Sequence, residues 1–268
     1  FTLRSYYHEN ILAFGDLLHR IHPLAGQGFN MIIRDIIILI DIINHKASLG
    51  LPLDKSISFE FQKKLKHKNL IFRAGIWKPR TRPNSFEGVG EKGLKLLQLA
   101  KKETGLKTTT EVARAAHVSL AIKHEVDILW IGARTTGNPF AIQEIAEALK
   151  GINIPVMVKN PINPELNLWI GAIERLKDAG IENIAAINRG FFAYENSKYR
   201  NTPQWQIAVD MKRKFPTIPI ICDPSHISGK SNLIYEVAQK AMDLNYDGLM
   251  IETHIDPANA LSDSQQQI

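Results

Sequence analysis

From Phe72 onward, short and nearly continuous runs of apolar and β-branched residues alternate with longer stretches in which apolar residues return every three to four positions. The first kind predicts strands buried on both faces, and the second predicts amphipathic helices. Strands are expected at Phe72–Trp77, Lys107–Val112, Val126–Gly132, Val156–Lys159, Ile184–Asn188, Ile218–Cys222 and Gly248–Glu252. Helices are expected at Glu91–Thr104, Ala113–His124, Pro139–Lys150, Leu168–Ala179, Pro203–Phe215 and Ser231–Leu244, the last carrying Leu233, Val237, Ala238 and Met242 on one face. Strict alternation of this kind is the signature of repeated βα units around a parallel sheet.

About seven strands of this type predict an α/β fold, a (β/α)8 TIM-type barrel that is incomplete by one unit. A doubly wound open sheet is the competing architecture. Polar residues recur at the C-terminal ends of the strands, namely Lys78, Glu111, Arg134, Lys159, Arg189, His226 and Glu252. So many converging strand ends favour closure, because barrels gather their chemistry at that rim.

Residues 1–71 read differently, as an unrelated α/β fragment ahead of a 72–268 barrel. A strand is expected at Asn10–Phe14, then a Gly-rich turn, a helix at Asn30–Asn44 and a basic helix at Ser58–Lys68. The strand and the first of these helices are expected to act as a surrogate first βα unit. The join near Leu70 lacks the Pro, Gly or Ser of a flexible linker.

Composition narrows the function classes. The 268 residues are 44% hydrophobic and 22% charged, as in an ordinary globular protein rather than a disordered one. The net charge of +6 is scattered, with no block of five or six like charges, which favours small phosphorylated substrates over nucleic acid. Part of the excess is ordinary solvated surface. A single cysteine, Cys222, excludes an intrachain disulfide and points to the reducing cytoplasm. The most apolar run, Met31–Ile43, is broken by Arg34, Asp35 and Asp41 and falls short of the roughly 20 residues of a membrane span. It reads as a buried helix. An opening Phe1 reads as a fragment, and a homo-oligomer is left open.

The chemistry begins with Arg73, Lys78-Pro79-Arg80-Thr81 and Arg82, four cations in ten residues at the end of the first barrel strand. Guanidinium forks and a Lys point charge suit a phosphate ester, although such a cluster alone equally describes a solvated surface. Arg134, Lys159 and Arg189 each follow a buried strand in the same way. Cations aimed at one rim repel, so the arrangement makes sense chiefly with an anion among them. His226, Glu252 and Asp263 supply an imidazole and two carboxylates suited to a divalent cation. Each alone is equally a packing or surface residue, and Asp223 reads as a ligand or as a partner orienting one.

Lys78-Pro79-Arg80-Thr81, Ile131-Gly132-Ala133-Arg134, Asp223-Pro224-Ser225-His226 and Ile251-Glu252-Thr253-His254 with Leu261-Ser262-Asp263 resemble, in order and spacing, the type I 3-deoxy-D-arabino-heptulosonate-7-phosphate (DAHP) synthases. The resemblance covers residues 73–268. It implies a transferase that joins phosphoenolpyruvate to erythrose 4-phosphate, giving DAHP and phosphate, the first step of the shikimate pathway. It further implies that Arg73, Lys78, Arg134, Lys159 and Arg189 hold phosphoenolpyruvate, and that Arg80 and Thr81 hold the aldose phosphate. Lys78 and His226 would be catalytic, and His226, Glu252 and Asp263 would ligate Mn2+ or a similar divalent metal. Relatives using arabinose 5-phosphate look different at the Lys-Pro-Arg-Thr site, which favours erythrose 4-phosphate. The family's Gly-Pro-Cys strand, whose Cys is a metal ligand, does not precede Arg73. Cys222 lies too deep on its strand to replace it and reads as a buried structural residue.

Gly15-Asp16, His22-Pro23-Leu24-Ala25-Gly26-Gln27-Gly28-Phe29-Asn30 and Asp35 resemble the second flavin-binding motif of ubiquinone-biosynthesis flavoprotein hydroxylases. Asp16, Gly26 and Gly28 are the flavin-contacting positions this implies. The Gly-x-Gly-x-x-Gly fingerprint that FAD binding needs is missing from the residues given, so FAD is not an expected cofactor. Two truncated resemblances meeting without a linker predict a chimera, with an inactive fusion fragment or a flavoprotein remnant as the alternatives to an active synthase.

Overall fold

The computed structural model of the chain describes residues 7–8, 11–12, 27–80, 82–195 and 197–268. It divides into two compact units, Phe1–Ile71 and Phe72–Ile268.

In the first unit, β1 (Tyr7–His8) pairs antiparallel with β2 (Ile11–Leu12). Two helices follow, α1 (Gln27–Ser48) and α2 (Lys55–Asn69). Asp54 starts α2 by accepting a hydrogen bond from the Ser56 backbone N–H at 3.0 Å. Ile38 and Ile42, four residues apart on α1, pack on Phe61 of α2 as a small core. Ile36, Ile37 and Ile40 on the same helix are exposed. Over Ile36–Ser48, where its side chains are described, α1 buries one stripe only, which corrects that part of the buried helix expected at Met31–Ile43. Of the strand expected at Asn10–Phe14 in a surrogate βα unit, Ile11–Leu12 pairs within this two-stranded hairpin, and Asn10, Ala13 and Phe14 lie outside the described residues.

The large sheet carries seven strands in chain order: β3 (Ile71–Arg73), β4 (Lys107–Val112), β5 (Ile128–Ile131), β6 (Val156–Lys159), β7 (Ile184–Asn188), β8 (Ile220–Cys222) and β9 (Gly248–Leu249). Pairing is parallel, as in Thr109↔Ile128, Val156↔Ile184 and Ile221↔Gly248. A doubly wound sheet reverses its winding, so its first strand ends up inside. Here spatial order follows chain order without reversal, and the strands curl into a half-barrel, an incomplete TIM-type α/β barrel. The crossover helices are α3 (Glu91–Thr104), α4 (Ala115–Lys123), α6 (Pro139–Leu149), α7 (Leu166–Asp178), α8 (Trp205–Lys214) and α10 (Ile234–Asp243), with one-turn helices α5 (Ala133–Thr136) and α9 (Pro224–Ser228) opening two of the loops.

Strand parity divides the core into two layers. Leu129, Ile131, Val156, Val158, Ile184, Ala186, Ile220 and Cys222 face the helices. Their alternates Ile128, Trp130, Met157, Ala185, Ile187 and Ile221 face the concave side, together with Met250. Side chains alternate across a strand, so a hydrophobic run buried on both faces fixes which later residue points inward.

Four expected strands are shorter than the pattern suggested: β5 and β8 are trimmed at their ends, and β3 and β9 lose their C-terminal halves. After Arg73 the chain leaves the sheet and folds on itself, with Lys78 N–H donating to Glu87 O at 2.8 Å and Gly90 N–H to Ile76 O at 2.9 Å. Gly88 (φ +96°) permits this, since a Cβ there would lie 2.2 Å from Ile76 O. The Trp77 ring stacks on His117 of α4 at 4.1 Å, pinning the loop. β9 pairs on one side with β8 and stops at Leu249, as an edge strand with no ladder on its other side. The one-turn helices α5 and α9 carry no expectation from the sequence, being too short to show a helical period.

Candidate active site

The parity that places Met157 and Ile187 inside brings Lys159 and Arg189 to the concave rim two residues later. Glu111, Gly132 and Glu252 arrive by the same rule. Arg73, Lys78, Arg80, Arg134, Lys159 and Arg189 line one cavity with Glu111, Gly132, His226, Glu252 and Asp263. The expected cations thus share a mouth instead of scattering over the surface. Thr81 lies outside the described residues.

Most of these charges are internally compensated. Arg73 pairs with Glu252 at 3.0 Å and lies over the Trp130 ring at 5.0 Å. Lys159 pairs at 2.7 Å with Asp223, whose side chain is fully buried. Lys78 and Arg80 approach Asp263 Oδ2 at 3.8 and 3.7 Å, and Arg200 holds Oδ1 at 2.9 Å. Lys78 also donates to Ser262 Oγ.

Burial and pairing push the acids in opposite directions. Burial alone would raise the Asp263 carboxyl, but Arg200 and Lys78 bring it down to about 2. Burial likewise opposes ionisation of Glu252, and the charges of His226 and Arg73 outweigh it. Asp223 is held well below the carboxylate range against its own burial, by His226 and Lys159. Burial lowers the His226 imidazole, against the opposing attraction of Asp223. Glu111 goes the other way. Burial raises it, and the attraction of Lys159 and Arg73 only partly offsets the effect. Desolvation also lowers the Lys78 ammonium.

His226, Glu252 and Asp263 are chemically suited to a divalent ion, yet their arrangement does not fit one. Glu252 Oε1 is held by Arg73 and Oε2 accepts from Gln266 at 2.7 Å, while both Asp263 oxygens face guanidinium or ammonium groups. His226 Nδ1 meets Asp223 at 2.9 Å. Among the described residues, no three His, Cys, Asp or Glu side chains converge closely enough to share an ion. Asp223 also contacts the His226 ring at 3.1 Å and fixes its orientation. Cys222 faces the helix layer with Ile220 and stays out of the cavity. Asp16 and Gly26 lie outside the described residues, and Gly28 falls in the first turn of α1. No helix among the described residues is long and apolar enough to cross a membrane.

Sequence reasoning gave no role to three features. Glu111 was legible as a polar strand end, but its enclosure was not. Gly132 is required by it, because a Cβ there would stand 2.0 Å from Glu111 Oε1. Third, a set of buried asparagines fixes Arg189. Asn160 Oδ1 accepts the Arg189 backbone N–H at 2.7 Å, and Asn188 Oδ1 accepts Gly190 N–H at 2.9 Å. Asn201 Oδ1 accepts from Arg189 Nη1 at 2.8 Å. By strand parity Asn160 and Asn188 point away from the concave rim, and only their polar character at buried strand ends could have signalled this.

Comparison with known proteins agrees with the geometry. A family model described as "DAHP synthetase I family" matches residues 57–268, beginning upstream of the first motif residue, Arg73. A phospho-2-dehydro-3-deoxyheptonate aldolase of Thermotoga maritima is 32% identical over 198 residues, covering 74% of this chain and 56% of the relative. The chain thus spans little more than half of that protein's length. A 2-dehydro-3-deoxyphosphooctonate aldolase of Helicobacter acinonychis is also 32% identical over an alignment of 221 residues, covering 75% of this chain and 78% of the relative. The crystal structure of the Thermotoga maritima heptonate aldolase superposes with a TM-score of 0.66 at 28% identity, covering 78% of this chain and 60% of that one.

Proposed function

The chain belongs to the DAHP synthetase I family, and on that premise we propose that its half-barrel rim binds phosphoenolpyruvate and condenses it with erythrose 4-phosphate, releasing phosphate. The observation that carries the reading is the convergence of Arg73, Lys78, Arg134, Lys159 and Arg189 on one cavity. A doubly charged ester bearing a carboxylate supplies the anionic charge that such a rim needs. Arg80, on the same mouth, is the group for the aldose phosphate, with Thr81 as its sequence neighbour.

In this reading the cations fix both phosphates so that C3 of phosphoenolpyruvate faces the aldehyde carbon of the sugar. A C–C bond forms between them and the aldehyde oxygen gains a proton. Water adds to C2 and phosphate leaves, which restores a carbonyl-level carbon. Lys78, desolvated and beside the mouth, is placed to stabilise developing negative charge on the aldehyde oxygen. His226 is held in one tautomer by Asp223. Glu111 is the rim acid whose environment favours the protonated form while Asp223, Glu252 and Asp263 stay ionised, the separation expected of a proton carrier among spectator carboxylates. No step is assigned to a metal.

The test is phosphate release from phosphoenolpyruvate with erythrose 4-phosphate or arabinose 5-phosphate as acceptor, each with and without added Mn2+. Turnover with the four-carbon acceptor is expected. Preference for the five-carbon acceptor would overturn the substrate assignment, in keeping with the octonate relatives. A second reading, phosphoester binding without turnover, is favoured by the full engagement of the Glu252 and Asp263 oxygens in the cavity. Phosphoenolpyruvate binding with no phosphate release would mark it.

A further inference from the structure

Arg189 differs from its neighbours in how its charge is answered. Arg73, Lys159, Lys78, Arg80 and Arg200 each lie within 4.0 Å of a carboxylate. Arg189 is buried and lines the same cavity, yet its guanidinium meets neutral acceptors, Asn201 Oδ1 at 2.8 Å and Gly190 O at 3.3 Å. Among the described residues, no carboxylate stands within ion-pairing distance of it. Asp223 and Asp263 act on Arg189 only from beyond contact distance, so its direct hydrogen bonds go to amide oxygens and no carboxylate competes at contact with an incoming anion.

Asn201 is built into that position. It is buried, its amide N–H2 donates to His226 O at 2.6 Å, and its backbone N–H donates to Ile227 O at 3.1 Å. Gly190, at φ +77°, lets the two segments approach, since a Cβ there would fall 2.8 Å from both Asn201 Cβ and Asn201 O. The amide therefore bridges the end of β7 to α9, with one end on Arg189 and the other on the backbone of His226.

We infer that Asn201 is a positioning residue that presents Arg189 to the phosphoester free of a direct carboxylate partner, and that its neutrality is what matters. The inference rests on the reading of this rim as a phosphoester site. Its chemistry separates two changes, of which only Asn201→Asp keeps the shape of the side chain. Asn201→Ser removes the oriented acceptor and adds no charge, while Asn201→Asp keeps an acceptor and adds a competing anion. Both lose the donor to His226 O, so a purely structural role predicts equal effects.

The experiment is calorimetric titration of the full chain and both variants with inorganic phosphate and, separately, with phosphoenolpyruvate, alongside thermal melts. Charge-assisted hydrogen bonds contribute about 1.5–3 kcal/mol each, so Asn201→Asp is expected to weaken phosphate binding on the order of a hundredfold and Asn201→Ser about tenfold. Equal losses in the two variants, or no loss in either, would overturn the inference. If the Asp variant does not fold, a Ser variant with an unchanged melt and about tenfold weaker binding supports it, and wild-type affinity in the Ser variant sinks it. Wild-type chain that binds phosphate but not phosphoenolpyruvate would refute the proposed substrate, leaving Asn201 to be judged on phosphate alone. Binding of neither would overturn both.

Discussion

Removing the Lys159 ammonium tests whether the site is as dry as its geometry implies. In Lys159→Met the stem is replaced at similar volume and the charge is deleted, while Asp223 remains fully buried. Breaking a buried ion pair from one side costs about 3–5 kcal/mol, because the surviving charge has lost its partner. Asp223 would keep two hydrogen bonds, from His226 N–H at 3.0 Å and from the His226 ring at 3.1 Å, so the lower end, about 3 kcal/mol, is expected. With a urea slope of roughly 2–3 kcal/mol/M, the unfolding midpoint should fall by about 1–1.5 M. The assay is urea unfolding of the full chain followed by far-UV circular dichroism, repeated for Lys159→Met/Asp223→Asn. Removing the second charge should recover a large part of the loss, since neighbouring members of one pair are not additive. A single-variant cost below about 1 kcal/mol, or a double variant worse than the sum of the singles, would refute the claim that this pair is desolvated and coupled.

Two further changes probe Glu111. Gly132→Ala should cost about 1–3 kcal/mol by driving a methyl into the Glu111 carboxylate, and Glu111→Ala in the same chain should return most of it; unchanged thermal stability in Gly132→Ala would contradict the packing. Because burial raises the folded-state pKa of Glu111 above 4.5, its contribution to stability is present below about pH 4.5 and is lost as pH rises through the folded pKa. Glu111→Gln should therefore flatten that fall and be the more stable chain near neutrality, with turnover reduced about 10²–10⁴-fold and phosphoenolpyruvate binding retained. A parallel pH profile of stability, or unchanged turnover, would rule out the buried acid or its proton-carrying role respectively.

The half-barrel was readable because its strands are buried on both faces. Val156–Lys159 and Ile184–Asn188 were bounded correctly, since a β-branched run flanked by polar residues leaves little freedom in where pairing begins and ends. Phe72–Trp77 and Gly248–Glu252 were overextended for a different reason. Their residues are apolar enough for a strand, but strand length at a sheet edge depends on how far the single neighbour pairs. Met31–Ile43 looked buried from composition, and only the position of Phe61 revealed that one stripe of α1 has a partner.

The site divides along the same line. Sequence alone determined which cations and carboxylates follow the strands, and through the period of two, which would share the concave rim, because that period is a covalent property of the extended backbone. Tertiary structure decided the pairing: that Glu252 answers Arg73, that Asp263 draws Lys78, Arg80 and Arg200, and that Arg189 is left to an amide. Pairing depends on distances of a few ångströms between segments up to 185 residues apart, as for Lys78 and Asp263, and Coulomb energies in a desolvated rim change steeply over that range. Whether a charge is free to bind is thus a property of the folded neighbourhood, which no local pattern encodes.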